Sequence, residues 1–113
     1  MKHGIIYIAS PYSHINPEIV ENNYKKVAKF SAKLVSEGYT AISPIAYAHT
    51  LLPFVDMPSD WEFWLNFCLT LLSKSDALYV YQMEGWDKSC GVTAEIAYAK
   101  EHDIPIRYVK EID

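Results

Sequence analysis

The chain alternates short apolar runs with amphipathic stretches. Ile5-Ile6-Tyr7-Ile8-Ala9 is unbroken and rich in β-branched and aromatic residues. Such a run predicts a strand buried on both faces. Asn16-Pro17-Glu18 then reads as a helix start, with Asn as N-cap, Pro at the first helical position and an acid in the first turn. Val20, Tyr24, Val27, Ser31 and Leu34 mark its inward stripe, and Gly38 stops it. Tyr39 to Ser43 predicts a second strand. The stretch Pro44 to Pro58 holds three prolines and reads as a long loop. Ser59-Asp60-Trp61-Glu62 has capping-box spacing and opens a helix to about Ser73. Nine of residues 59–72 are apolar, more than one helix face can hide against a sheet. That excess predicts either a central buried helix or a subunit interface. Ala77 to Tyr81 forms a third strand, reached through Ser75-Asp76. A loop over Gln82 to Ser89 follows, then a helix from about Gly91 to His102. Ile104 to Val109 is the last strand, with Pro105 near its start, where a missing N–H is tolerated.

Strands that alternate with helices imply a mostly parallel sheet covered on both faces. The expected architecture is a single three-layer α/β domain over residues 1–113, of flavodoxin/Rossmann-like kind. Its sheet has four or five strands in the order 2-1-3-4. In such sheets ligands bind beyond the C-terminal strand ends, where the strand order switches. That rule brings together the loop after strand 1 (Ser10 to His14) and the loop after strand 3 (Gln82 to Ser89).

At 113 residues the chain fits one domain, and 50% hydrophobic residues suffice for its core. The net charge is −4, and Arg107 is the only arginine. Lys25, Lys29 and Lys33 recur on one solvated helix face. No basic stripe marks a nucleic-acid polymer as partner. No apolar run is long enough to span a membrane, and the run after Gly4 is too short for a signal peptide. Cys68 and Cys90 make no disulfide framework, so a reduced cytoplasmic setting is expected. The four histidines show no metal-ligand spacing, and neither a GxGxxG nor a Walker motif occurs. No metal and no cofactor are therefore expected. The aromatic content, 14%, leaves room for an aromatic pocket beyond the core.

Glu95 is the sharpest single residue. Val92, Ile96 and Ala99 must face the sheet, and Glu95 shares that side of the helix. Desolvation there raises a carboxyl pKa, while the helix N-terminus lowers it. The alternative is an edge residue whose head reaches water. Ser89 precedes the helix as its N-cap; Ser89, Cys90 and Gly91 could also meet an anion at the helix start. Tyr7, inside the first strand, has a hydroxyl that needs a buried partner, and a carboxylate would serve. Tyr12, Ser13 and His14 are loop polar groups that need no special role, with contact to a substrate as the alternative.

Three stretches carry a family resemblance: Tyr7-Ile8-Ala9-Ser10-Pro11-Tyr12-Ser13-His14, Ser75-Asp76-Ala77-Leu78-Tyr79-Val80, and Gly85-Trp86-Asp87-Lys88-Ser89-Cys90-Gly91-Val92-Thr93-Ala94-Glu95. Together they resemble the nucleoside 2-deoxyribosyltransferase-like superfamily, in particular its small bacterial and phage members. The related 2′-deoxynucleoside 5′-phosphate N-hydrolases belong to the same group. The resemblance implies that Glu95 is a nucleophile, that Tyr7 positions it and that Ser89 holds a 5′-phosphate. Ser10, Pro11, Tyr12, His14, His49, Trp86 and Gly91 then fall on the substrate-binding side. It also implies a homodimer or higher oligomer in which a neighbour completes the site.

Two positions depart from the family pattern. Ser10 stands where many relatives have Gly. Cys68 stands eight residues before Asp76, where the family has an Asp that helps protonate the leaving base. The acid must then come from Asp56, Asp60 or Asp87, with Asp87 taken as the catalytic one, or from a neighbouring subunit. The implied reaction is cleavage of the base–sugar bond of a nucleoside 5′-monophosphate through a glycosyl ester on Glu95, resolved by water or another base. General-acid help is typically worth about 10²–10⁴-fold, so the Cys68 departure bears directly on activity. Two alternatives stand beside the enzyme. One is a nucleotide- or ADP-ribose-like ligand-binding protein without turnover. The other is an interaction module built on the apolar helix.

Overall fold

A computed structural model of the chain describes residues 4–111. The first strand, β1 (Ile5–Ala9), leads into a long helix, α1 (Pro17–Ser36). Asn16 caps that helix as expected, its Oδ1 accepting from the Glu18 N–H at 2.9 Å. Gly38 ends the segment with φ +95°, a left-handed backbone that a Cβ would strain. The next strand, β2, covers only Thr40–Ile42.

Pro44 to Pro58 is not a continuous loop. Its first part is a helix, α2 (Pro44–Leu51). Ser43 Oγ accepts from the Ala46 N–H at 3.1 Å, and Pro44 occupies the first turn, where its missing N–H costs nothing. A cap of this kind is worth about 1 kcal/mol. The start signal is the same as at Asn16-Pro17, with Ser in place of Asn.

The third helix, α3 (Trp61–Ser73), starts at Asp60, whose side chain makes no cap bond; the expected Ser59–Glu62 capping box does not form. Instead the Trp64 indole Nε1–H donates to the Pro58 carbonyl at 3.0 Å. Strand β3 (Ala77–Gln82) follows, then a 3-10 turn at Trp86–Lys88, helix α4 (Cys90–Glu101) and strand β4 (Ile106–Lys110). Gly85, at φ +88°, turns the chain into the 3-10 segment. Asp76 accepts from the Ile5 N–H at 2.7 Å and returns its own N–H to the Ile5 carbonyl, joining β1 to β3 ahead of the ladder.

The four strands are all parallel and run in the order β2-β1-β3-β4. Alternation within the strands sorts the core into two layers. Ile6, Ile8, Tyr81 and Met83 pack with Val27, Phe30 and Leu34 of α1, while Ile45 and Ala46 of α2 close the edge. Of the expected α1 stripe only Val27 and Leu34 are fully buried; Phe30, one position before Ser31, takes the third place. Tyr7, Ala9, Leu78 and Val80 point to the other face, against Leu72 of α3 and Val92 and Ala99 of α4. The architecture is thus the three-layer α/β arrangement.

The apolar α3 is not a central buried helix. Leu72 is its one fully buried residue, and Trp61 and Phe63 are 41% and 50% exposed. Among the described residues no helix is long and apolar enough to cross a membrane.

Candidate functional site

In the order β2-β1-β3-β4, the chain reverses its lateral direction between β1 and β3. The loops leaving their C-terminal ends diverge there and open a cleft of about 960 Å³. This is ample for a mononucleotide-sized ligand. Polar groups from the strand ends, the 3-10 turn and the start of α4 line one side: Ser10, Asp87, Ser89 and Glu95. The apolar part comes from α2 and α3, through Pro44, Ile45, Ala48, Trp61 and Trp64.

Glu95 is the chemical centre of the cleft. It lies in the second turn of α4 on the face that packs against the sheet, and it is only 8% exposed. Burial pushes its pKa up to about 8, against a lowering by a hydrogen bond from Tyr7. Of the two opposing influences, desolvation wins. The Tyr7 hydroxyl, itself buried in β1, donates to Glu95 Oε2. Its own pKa is raised well above the ordinary tyrosine value by burial and then by the Glu95 charge, so it remains a phenol and a donor. Cys68 of α3 lines the same cleft, and its thiol interacts electrostatically with Tyr7 and Glu95. Its thiol is pushed up to about 11 by burial and by Glu95, partly offset by the Tyr7 bond. A carboxyl, a phenol and a thiol therefore share one dry corner with no cation among them. The Glu95 charge disfavours ionisation of the phenol and the thiol, whereas the Tyr7 hydrogen bond favours the ionised forms of Glu95 and Cys68.

The opposite character prevails at the start of α4. Ser89 Oγ accepts from the Val92 N–H at 3.3 Å, which leaves its own proton free to donate. The Cys90 and Gly91 N–H groups head the helix, where no intrahelical acceptor exists. Ser10, 4% exposed, lines the cleft with a hydroxyl that has no hydrogen-bond partner among the described residues. A Cβ added at Gly91 would touch nothing closer than 3.8 Å, so packing within the chain does not demand glycine there.

Most of the residues singled out in the sequence meet at this cleft. Ser10, Pro11, Tyr12, His14, Ser89, Gly91 and Glu95 all line it, and Tyr7 stands behind Glu95. Asp87 lines it from the 3-10 turn. Four residues do not: the alternative acids Asp56 and Asp60 lie off the lining, as do Trp86 and His49. Trp86 turns away and packs into the α3–α4 layer, its ring 5.8 Å from that of Tyr108. His49 sits behind the lining on α2, bonded to the Tyr12 hydroxyl at 2.8 Å. Conversely, Asn23 and Lys26 of α1 line the cleft, and sequence reasoning did not single them out. Lys26 also pairs with Glu111 at 3.0 Å. Helical spacing placed both outside the stripe facing the sheet, and only the tertiary placement of α1 beside the loop brings them in.

The family profile described as a domain of unknown function (DUF1937) matches residues 4–111. The chain belongs to the DUF1937 family. No curated protein matches it in sequence. The DUF1937 match spans every strand and helix that builds the cleft, so the site lies wholly within the family's domain. Among the described residues of this DUF1937 domain, no group of three or more His, Cys, Asp or Glu side chains is placed to hold a metal ion. Cys68 and Cys90 are free thiols.

Proposed function

We infer that this DUF1937 protein is an N-glycosidase acting on nucleoside 5′-monophosphates, with Glu95 as nucleophile. The observation that carries the reading is the buried Glu95 carboxyl, held through Oε2 by Tyr7 and opening onto a cleft with a helix N-terminus at its polar end. A carboxylate in this setting has one oxygen committed to orientation and one left for attack. In the proposed step that free oxygen bonds to the anomeric carbon. The base–sugar bond breaks with its electron pair on the base nitrogen, and a proton reaches that nitrogen from an acid in the cleft. Water then cleaves the glycosyl ester and regenerates the carboxyl. Asp87, on the lining together with Glu84, is taken as the acid for the leaving base. Ser89, the Cys90 and Gly91 N–H groups and the unpartnered Ser10 hydroxyl fit a 5′-phosphate.

The resemblance to nucleoside 2-deoxyribosyltransferase-like proteins supports the same assignment, and with it a second copy of the chain over the exposed aromatic side of α3. Trp61 and Trp64 run from the cleft lining onto that side, so a neighbour seated there also closes the cleft.

The test is incubation with a panel of deoxynucleoside and nucleoside monophosphates, followed by chromatography for free base. Release that disappears in Glu95→Gln supports the reading. Release by Glu95→Gln at the wild-type rate refutes the nucleophile. A second reading, binding without turnover, is favoured by one observation: Cys68, with its thiol pushed up to about 11, is a poor acid where the related enzymes have an Asp. Thermal stabilisation by nucleotides with no base release would select it.

A further inference from the structure

Tyr12 is held far more firmly than a loop residue needs to be. Its hydroxyl lies 2.8 Å from His49 Nδ1, and His49 Nε2 lies 3.2 Å from Glu21 Oε1 of α1. The imidazole stacks on Tyr24 at 4.0 Å, and its edge meets the Tyr12 ring at 5.7 Å. Asn23 Nδ2 donates to the Tyr12 carbonyl at 3.2 Å. The chain Glu21–His49–Tyr12 thus runs from the solvent side of α1 through α2 and ends on a residue that lines the cleft.

With the His49 ring neutral, this chain has a direction. Carboxylates only accept, so His49 Nε2 carries the proton shared with Glu21. In the neutral ring Nδ1 is then an acceptor, and Tyr12 must donate to it. Its oxygen keeps only lone pairs for the cleft. Burial and the Glu21 charge raise the Tyr12 pKa, so the group stays a phenol. Tyr12 lines the same cleft as Ala48 of α2 and Trp61 and Trp64 of α3, whose apolar surfaces suit a flat base. A keto oxygen presented to Tyr12 would meet a second acceptor, whereas an amino group would find a partner.

We propose that Tyr12, oriented by His49 and Glu21, selects nucleotides whose base carries an exocyclic amino group over their keto counterparts. The proposal rests on the nucleotide reading of the cleft and deepens it. Its test is binding, which needs no turnover. Affinities are measured by calorimetry for dAMP against dIMP and dCMP against dUMP, in the Glu95→Gln background so that no base is released. The amino forms are expected to bind about tenfold more tightly, the worth of one hydrogen bond against an unpaired acceptor. Tyr12→Phe removes this preference by weakening amino ligands alone. His49→Phe keeps a ring on Tyr24 but frees the Tyr12 proton, so keto ligands gain affinity. A residue that merely supported the fold would not produce that gain. Equal affinities for amino and keto forms overturn the proposal while leaving the nucleotide reading intact. Equal losses for both in Tyr12→Phe also overturn it, since they would point to a sugar hydroxyl as the donor. If none of the nucleotides binds, the nucleotide reading and the proposal fall together.

Discussion

Replacing Tyr7 with Phe isolates the one polar contact that steadies the Glu95 charge. The ring stays in the layer formed with Ala9, Leu78 and Val80, and only the hydroxyl that donates to Oε2 is lost. Burial raises the Glu95 pKa to about 8, and the Tyr7 bond is what holds it from going higher. A hydrogen bond to a charged group is worth about 1.5–3 kcal/mol, against about 1 kcal/mol for a neutral one. The ionised form therefore loses more than the protonated form, by about 0.5–2 kcal/mol, which moves the ionisation up by about one pH unit. Activity that requires the carboxylate should rise with pH through the Glu95 pKa and level off above it. In Tyr7→Phe the rising limb should sit about one pH unit higher, and kcat/KM at pH 7 should fall about tenfold. The assay is base release from deoxynucleoside monophosphates from pH 6 to 10. Melting temperatures over the same range report the Glu95 ionisation independently of turnover. A limb that stays in place or moves down, in a variant that melts as a folded protein, refutes the assignment of Tyr7 as the group that stabilises the charge.

Three further outcomes follow from the same geometry. In Glu95→Gln the stability gap over wild type should open as pH rises from about 5 to 8. The native state keeps a proton that the unfolded chain releases near 4.5, so unfolding releases a proton and wild-type stability falls across that window by several kcal/mol, of order 4–5 in full. Thermal melts at stepped pH check it, and a constant gap counts against a raised Glu95 pKa. Ser10→Ala should leave the unliganded protein as stable or up to about 1 kcal/mol more stable, because the hydroxyl is buried without a partner, while weakening nucleotide binding severalfold. Calorimetry and melting of one sample read both. On the proposed second copy over α3, Phe63→Asp on its exposed side should lower the sedimentation coefficient to that of a monomer with little change in the monomer's fold; equal sedimentation of variant and wild type counts against that interface.

Much of the fold was legible because its signals are local and agree with one another. The Ile5–Ala9 run, the Asn16-Pro17 cap and Gly38 each specify the same element by an independent physical route, and the structure follows them. The misreadings arose where a cue had two meanings. Three prolines across Pro44–Pro58 read as loop, yet Pro44 behind Ser43 is a start signal, and α2 forms. The Ser59–Glu62 spacing matched a capping box, but the chain enters α3 at Asp60 with its path set by the Trp64–Pro58 bond, a contact that spacing cannot reveal.

The site was legible where function overrides packing. Glu95 stood out because a carboxyl on a sheet-facing stripe contradicts its surroundings, and Tyr7 because a strand hydroxyl needs a partner; the two turn out to be each other's answer. His49 illustrates the limit. Nothing in its local sequence points to Tyr12 or Glu21, since the three are joined only when α1, α2 and the first loop pack together. Cys68 shows why the corner stays costly. An Asp at that position, beside Glu95 and Tyr7, would place a second carboxylate in the same buried corner, and like charges in so dry a place cannot both ionise. A thiol fills the volume without that charge. The exchange leaves Glu95 easier to ionise than it would be beside an Asp. Under the proposed reaction it also leaves protonation of the leaving base to groups outside the corner, where Asp87 sits on an exposed turn.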